Sequence, residues 1–260
     1  MPVILNETLE AERVLKSGEV AKNASSTLFL LGKYYRQKCE LGKVETEKKL
    51  NEFMEANYAD YIPALWESAI EDISKKAKKY PLKEFDAVGI TKNEMDVIMG
   101  VDGLKYQKLL FTMLCHAKYY SMISENNNGW VNTSIPELYR LARVTVKHKN
   151  DKFLYLNDLE ALGLIEFSKK NTNLNMRITF LNSSEESVLS ICDFRELGYE
   201  YLNYIDNGNF IRCSECGRLV RKTGNKIKYC KNCADTVESK NALERKRNQR
   251  QRECHEIENG

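Results

Sequence analysis

Cys213, Cys216, Cys230 and Cys233 are the residues of this sequence whose type and spacing point most directly to chemistry, in the pattern C-x2-C-x13-C-x2-C. Two cysteines separated by two residues curl the backbone so that both sulfurs face one point, and two such pairs complete a tetrahedron for Zn2+. Four thiolate ligands leave no coordination position open, so the expected role of Zn2+ is structural. A thioredoxin-like redox site would account for one pair and not for two. The spacing also differs from those usual for iron–sulfur clusters.

The elements that must position these cysteines are short. Leu219 to Lys222, a turn at Thr223-Gly224-Asn225 and Lys226 to Tyr229 read as a hairpin that joins the two pairs, and a helix begins at Ala234. A knuckle, a hairpin and a second C-x2-C at a helix start resemble the treble-clef zinc fingers. That resemblance implies a nucleic-acid-binding module, contacting its target through Arg218, Arg221, Lys222, Lys226 and Lys228. The His-Asn-His endonucleases resemble it too, but they need histidines in the hairpin and helix, and this region has none before His255. Beyond Leu243 the apolar stripe ends, while Arg245, Lys246, Arg247, Arg250 and Arg252 point to every side. A helix without an apolar face is not anchored by packing, so this segment is expected to be an arm or to order on a polyanion.

Upstream, residues 104–182 alternate types in a definite order. Leu104 to Ile123 reads as a long helix, Trp130-Val131 as a minimal strand, and Ile135 to Leu141 as a helix with Pro136 in its first turn. A tight turn leads to a third helix, Val146 to Leu162, ended by Gly163; Leu164 to Phe167 and Met176 to Leu181 then read as a β-hairpin. Helix, strand, helix, turn, helix, hairpin, with the phrase Leu-Gly-Leu-Ile at 162–165, resembles the winged-helix family. In DNA-binding members the third helix enters the major groove and the hairpin loop lies along the backbone. The resemblance therefore implies DNA contacts by Lys147, His148, Lys149, Asn150 and Lys152 at the start of that helix. Lys169 and Lys170 of the wing, with Asn171, Asn173 and Asn175, would bind phosphate. Winged helices also serve as protein-docking modules, so the fold alone leaves that use open.

Residues 1–82 read as a helical bundle. Its helices are Leu9 to Ser17, Leu28 to Lys38 capped from Ser25-Ser26-Thr27, Glu45 to Asn57, and Pro63 to Lys79. Residues 83–103 read as a connector whose Thr91-x-x-Glu94 is a capping box. Residues 183–209 read as a linker with a strand from Val188 to Cys192 and a short aromatic helix from Phe194 to Tyr204, and residues 210–252 as the four-cysteine zinc finger with its basic helix. The expected fold is mainly α (α+β). Cys39, Cys115 and Cys192 are expected as small core residues.

Charge is unevenly spread. From Phe210 to Arg252 there are 13 Lys and Arg against 4 Asp and Glu, or +9 in a chain of net charge +3, which leaves −6 for the rest. A mildly acidic body with a basic module suits a polyanionic partner, most directly duplex DNA. No apolar run approaches the ~20 residues of a membrane span, and no signal-peptide pattern opens the chain. The expected location is the cytoplasm or nucleoid of a bacterial host cell, where thiols stay reduced. Nothing nominates a catalytic site, so the chain is expected not to be an enzyme. A winged helix preceding a four-cysteine finger resembles proteins of phages and mobile elements of low-GC bacteria. The Leu28-Phe-Leu-Leu-Gly-Lys-Tyr-Tyr35 helix, with the Trp66 helix, resembles the helical domains beside phage primases. The expected function is that of a DNA-binding regulator or replication accessory factor, with a protein-binding adaptor or inhibitor of a host or defence complex, and an RNA-binding protein, as alternatives. A protein partner would dock on the N-terminal bundle.

Overall fold

The computed structural model describes residues 3–148, 150–169, 175–182, 186–206, 209–224, 227–238, 242 and 245, and the chain divides into two units, Met1–Ala87 and Val88–Gly260. The protein is mainly α, with small antiparallel sheets. Among the described residues no helix is long and apolar enough to cross a membrane.

The first unit holds α1 (Glu7–Ser17), α2 (Ala24–Gln37), α3 (Lys43–Asn57) and α4 (Pro63–Ala77). Asn6 caps α1 by accepting the Leu9 N–H at 3.0 Å. Gly18 ends it at φ 68°, a left-handed conformation that glycine enters without a Cβ penalty. α2 begins at Ala24, earlier than capping by Ser25 to Thr27 implies. Thr27 instead accepts the Ala21 N–H at 3.0 Å and ties the incoming chain to the first turn. Leu28, Leu31, Leu50, Met54 and Ile70 meet in one core, so the apolar stripes read from helical spacing do face one another. Lys33 and Glu7 form an ion pair largely shielded from water within this unit. Lys75 and Lys76, at the end of α4, pair one turn back with Glu71 and Asp72.

The second unit opens with β1 (Val88–Thr91) and α5 (Lys92–Met99). The stretch 83–103, read as a connector with a short helix opened by the Thr91–Glu94 cap, thus has that helix and also carries a strand. β1 pairs antiparallel with β5 (Ser187–Ile191). Thr91 accepts the Glu94 N–H at 3.3 Å and Glu94 accepts the Thr91 N–H at 2.8 Å, the reciprocal cap that the local sequence spells. Glu94 is fully buried and also takes the Lys118 ammonium at 2.6 Å and the Asn182 N–H at 2.9 Å. One carboxylate therefore joins β1, α5 and the long helix α6 (Leu104–Ile123), whose residues 109–117 are all buried.

Around α6 lie β2 (Trp130–Val131), α7 (Ile135–Leu141), α8 (Asp151–Ala161), β3 (Ile165–Phe167) and β4 (Met176–Ile178). The three strands form an antiparallel sheet in the order β2-β4-β3, with Trp130 opposite Arg177 and Ile165 opposite Ile178. α8 starts five residues later than helical periodicity from Val146 suggests. The β-branched run Val144-Thr145-Val146 resists helix. His148 and Asp151 then close a turn of their own: the His148 N–H donates to Asp151 Oδ2 and the Asp151 N–H to the His148 carbonyl, both at 3.1 Å. Next come α9 (Leu197–Ile205), which packs on α6 through Tyr201, and the hairpin of β6 (Phe210–Arg212) with β7 (Leu219–Arg221). Cys115 is buried as expected, but Cys39 and Cys192 are exposed and are not core residues.

Candidate metal centre and its basic surround

The strands that hold the first cysteine pair are β6 and β7, which flank it. The sequence spacing instead suggests a hairpin between the two pairs. β7 takes its partner from the N-terminal side because the turn between Cys213 and Arg218 is tight enough to close the ladder. The Cys213 N–H donates to the Arg218 carbonyl and the Gly217 N–H to the Cys213 carbonyl, both at 2.9 Å. Gly217 sits at φ 70° with no atom within 4 Å of where a Cβ would lie, so the demand for glycine there is conformational. Cys230 immediately precedes the helical residues 231–238, and its carbonyl accepts the Ala234 N–H at 2.9 Å. That puts Cys233 in the first helical turn. The Ser214 N–H donates to the Lys228 carbonyl at 2.9 Å and joins the two halves.

The four sulfurs lie within 4.8 Å of one another, and Cys216 and Cys230 are 3.8 Å apart. A tetrahedron of thiolates at the usual zinc–sulfur distance has edges of roughly 3.8 Å. The residues therefore fit a zinc-binding site. Cys213 and Cys230 are buried, and Cys216 and Cys233 are half-buried. Burial works against a Cys213 thiolate, yet backbone N–H groups of Cys230, Cys216 and Glu215 bring its pKa down to about 6. Burial, together with the neighbouring thiols, pushes Cys216 and Cys233 upward. Crowded sulfurs of this kind are relieved by a cation at their centre.

The module is rooted on the segment before it. Phe210 packs on Tyr199 with ring centroids 5.2 Å apart. Arg212 pairs with the buried Glu200 at 3.0 Å, Arg218 approaches Glu196 at 3.9 Å, and Arg195 Nη2 donates to the Cys216 carbonyl at 2.6 Å. Glu196 also accepts two bonds, at 2.5 and 2.7 Å, from Arg143, whose guanidinium stands 4.9 Å from the Tyr199 ring centroid. Arg143 occupies the turn after α7 at φ 52°, an uncommon conformation for a residue with a Cβ. Opposite that turn lies Gly198, where a Cβ would fall 2.1 Å from the Ala142 carbonyl oxygen. The α7–α8 turn, the start of α9 and the four-cysteine module thus share one polar joint.

The residues expected to touch nucleic acid separate into groups. On the module, Arg221, Lys222 and Lys228 are exposed, whereas Arg218 is half-buried against Glu196. Arg221 and Lys228 make no ion pair among the described residues, and Lys231, not singled out in the sequence, behaves alike. Lys147, His148 and Asn150 are exposed in the turn ahead of α8 rather than on the helix. Lys152 is half-buried, with its ammonium 5.3 Å from the Tyr139 ring centroid. The outward residues of α8 are then Phe153, Leu154, Asn157, Asp158, Glu160 and Ala161, none of them a cation. Lys169 is exposed after β3, and Arg245 is exposed. Lys149, Lys170, Lys226, Lys246, Arg247 and Arg250 lie outside the described residues, as do Asn171, Asn173, Arg252 and His255. His116 is buried, accepts or donates at Thr133 Oγ1 through Nδ1 at 2.9 Å, and has its pKa pushed down to about 4 by burial. Arg143, Arg195, Glu196 and Glu200 carry no signal in the sequence, because nothing local marks which charges find partners 12 to 53 positions away.

No family model, no curated protein and no solved structure matches the chain.

Proposed function

We propose that the chain is a non-enzymatic, zinc-containing protein that binds duplex DNA through its four-cysteine module, with the winged-helix-like region 104–182 beside it. One observation carries this reading: the basic residues of the module sort into two sets. Exposed Arg212 and half-buried Arg218 are paired with Glu200 and Glu196, while Arg221, Lys228 and Lys231 are exposed with no acidic partner among the described residues. Cations that need no internal partner are the ones available to phosphate. Zn2+ held by Cys213, Cys216, Cys230 and Cys233 would supply the fold of a segment too small to hold itself together by apolar burial. Lys147, His148 and Asn150, exposed at the turn before α8, would add contacts from the winged-helix-like region. A regulator or replication accessory factor of a phage or mobile element, acting in the cytoplasm or nucleoid, is the role that the sequence resemblances favour.

Zinc-loaded full-length protein and a 1–209 truncation, titrated into labelled random duplex DNA at several salt concentrations, test the reading. Contact with five to seven phosphates gives a slope of about −5 to −6 for log K against log salt. Arg221→Ala with Lys228→Ala should reduce that slope by about 2. Equal binding by the truncation would refute a role for the module, and tighter binding to structured RNA would replace duplex DNA as the target. The second reading, a protein-binding adaptor or inhibitor, is favoured by the outward face of α8, which offers Phe153 and Leu154 and no cation. Failure of both proteins to bind nucleic acid would select it.

A further inference from the structure

We infer that Arg195, which lies outside the four-cysteine module, is a positioning residue for its metal. The inference rests on the zinc reading above. From the body of the second unit, Arg195 holds the first cysteine pair in ligating geometry. The Cys213–Gly217 turn is carried by two three-residue strands, a small frame for half of a metal site. Cys216 lies in that turn, directly before the left-handed Gly217. Its carbonyl oxygen receives Arg195 Nη2 at 2.6 Å.

The guanidinium that makes this bond is itself fixed. Arg195 Nε donates to both Asp193 carboxylate oxygens at 2.9 Å, and Nη2 stands 2.7 Å from Asp193 Oδ2. Asp193 Oδ1 also accepts the Arg195 backbone N–H at 2.8 Å, so carboxylate and guanidinium form a closed local clasp. A planar fork held in this way loses little further freedom when it binds the carbonyl. Arg212 on Glu200 and Arg218 on Glu196 fasten the same side of the module to residues 196–200. These two arginines act through carboxylates, whereas Arg195 bonds a ligand residue directly.

Groups that orient metal ligands from outside typically change metal affinity by about 10–100-fold when removed. Full-length Arg195→Ala and Asp193→Asn should therefore raise the Kd for Zn2+ about 10–100-fold, measured by competition with a chromophoric chelator. Arg195→Lys should fall between these and the wild type, since one ammonium does not span carbonyl and carboxylate together. Lys49→Ala, which breaks only a surface pair with Glu52 in the other unit, should match the wild type. With Co2+ in place of Zn2+, the tetrahedral thiolate spectrum should keep its position in Arg195→Ala, because all four ligands remain. Wild-type affinity in an Arg195→Ala protein that folds by circular dichroism overturns the inference; if that variant does not fold, Asp193→Asn decides by the same measure. A wild-type protein that binds no Zn2+ refutes the metal reading itself, a separate outcome.

Discussion

Replacing Gly198 by alanine tests the joint that links the four-cysteine module to the α7–α8 turn. In an open helix this change stabilises by about 0.8–1.0 kcal/mol, because alanine has less backbone freedom to lose. Gly198 stands in the first turn of α9, where the added Cβ would lie 2.1 Å from the Ala142 carbonyl oxygen and 2.5 Å from the carbonyl carbon. Both are backbone atoms, so no side chain can swing aside. The helix or the turn must move, and the move disturbs Glu196, which holds Arg143 with two hydrogen bonds. Overpacking of this kind costs about 1–3 kcal/mol, which outweighs the propensity gain. With the cost at the upper end of that range, because both clashing atoms are backbone, we expect a net loss of about 2 kcal/mol, or a fall in Tm of about 4–8 °C for a unit of this size. Gly163→Ala is the control: it has φ 72° but no atom within 4 Å, so it carries only the backbone strain of about 1 kcal/mol. Thermal unfolding followed by circular dichroism reads both. Gly198→Ala melting at or above the wild-type temperature would refute the close approach of α9 to the turn.

Two further outcomes are expected. Chelation of zinc, or Cys230→Ser, should collapse the amide resonances of residues 210–238 while those of α6 keep their dispersion; retention of both sets would show that the module folds without metal. Burial lowers the folded-state pKa of His116 to about 4, below its unfolded value of 6.5, so the unfolded chain binds the proton more readily. The resulting stabilisation is fully present above pH ~6.5 and is lost as pH falls towards ~4, about 3 kcal/mol in all. Denaturant titrations at the two pH values should show a smaller loss for His116→Gln than for the wild type, and equal losses would refute it.

Much of the fold was legible because its signals are local. The Thr91–Glu94 cap, the bounds of α6 and the stop at Gly18 depend on residues within a turn of one another, and spacing along the chain is then spacing in space. The start of α8 is not legible in the sequence because apolar periodicity continues through Val144 to Val146, while the reciprocal bonds of His148 and Asp151 start the helix afresh. The β6–β7 pairing is hidden for the opposite reason: β7 could take either flanking segment, and alternation alone does not choose.

The sequence by itself determined that four thiols would converge, because each pair is two residues apart and a short chain joins them. It also determined that a basic module would follow a mildly acidic body. Only the tertiary structure decided which of the chain's cations remain exposed. Arg218 went to Glu196, Lys152 to the Tyr139 ring and Arg195 to the Cys216 carbonyl, while Arg221 and Lys228 kept no acidic partner among the described residues. Ion pairs form between groups that packing brings within a few ångströms, and that packing is set by apolar contacts such as Phe210 on Tyr199 and Tyr201 on Phe111. The charges then settle among the neighbours that the core has given them.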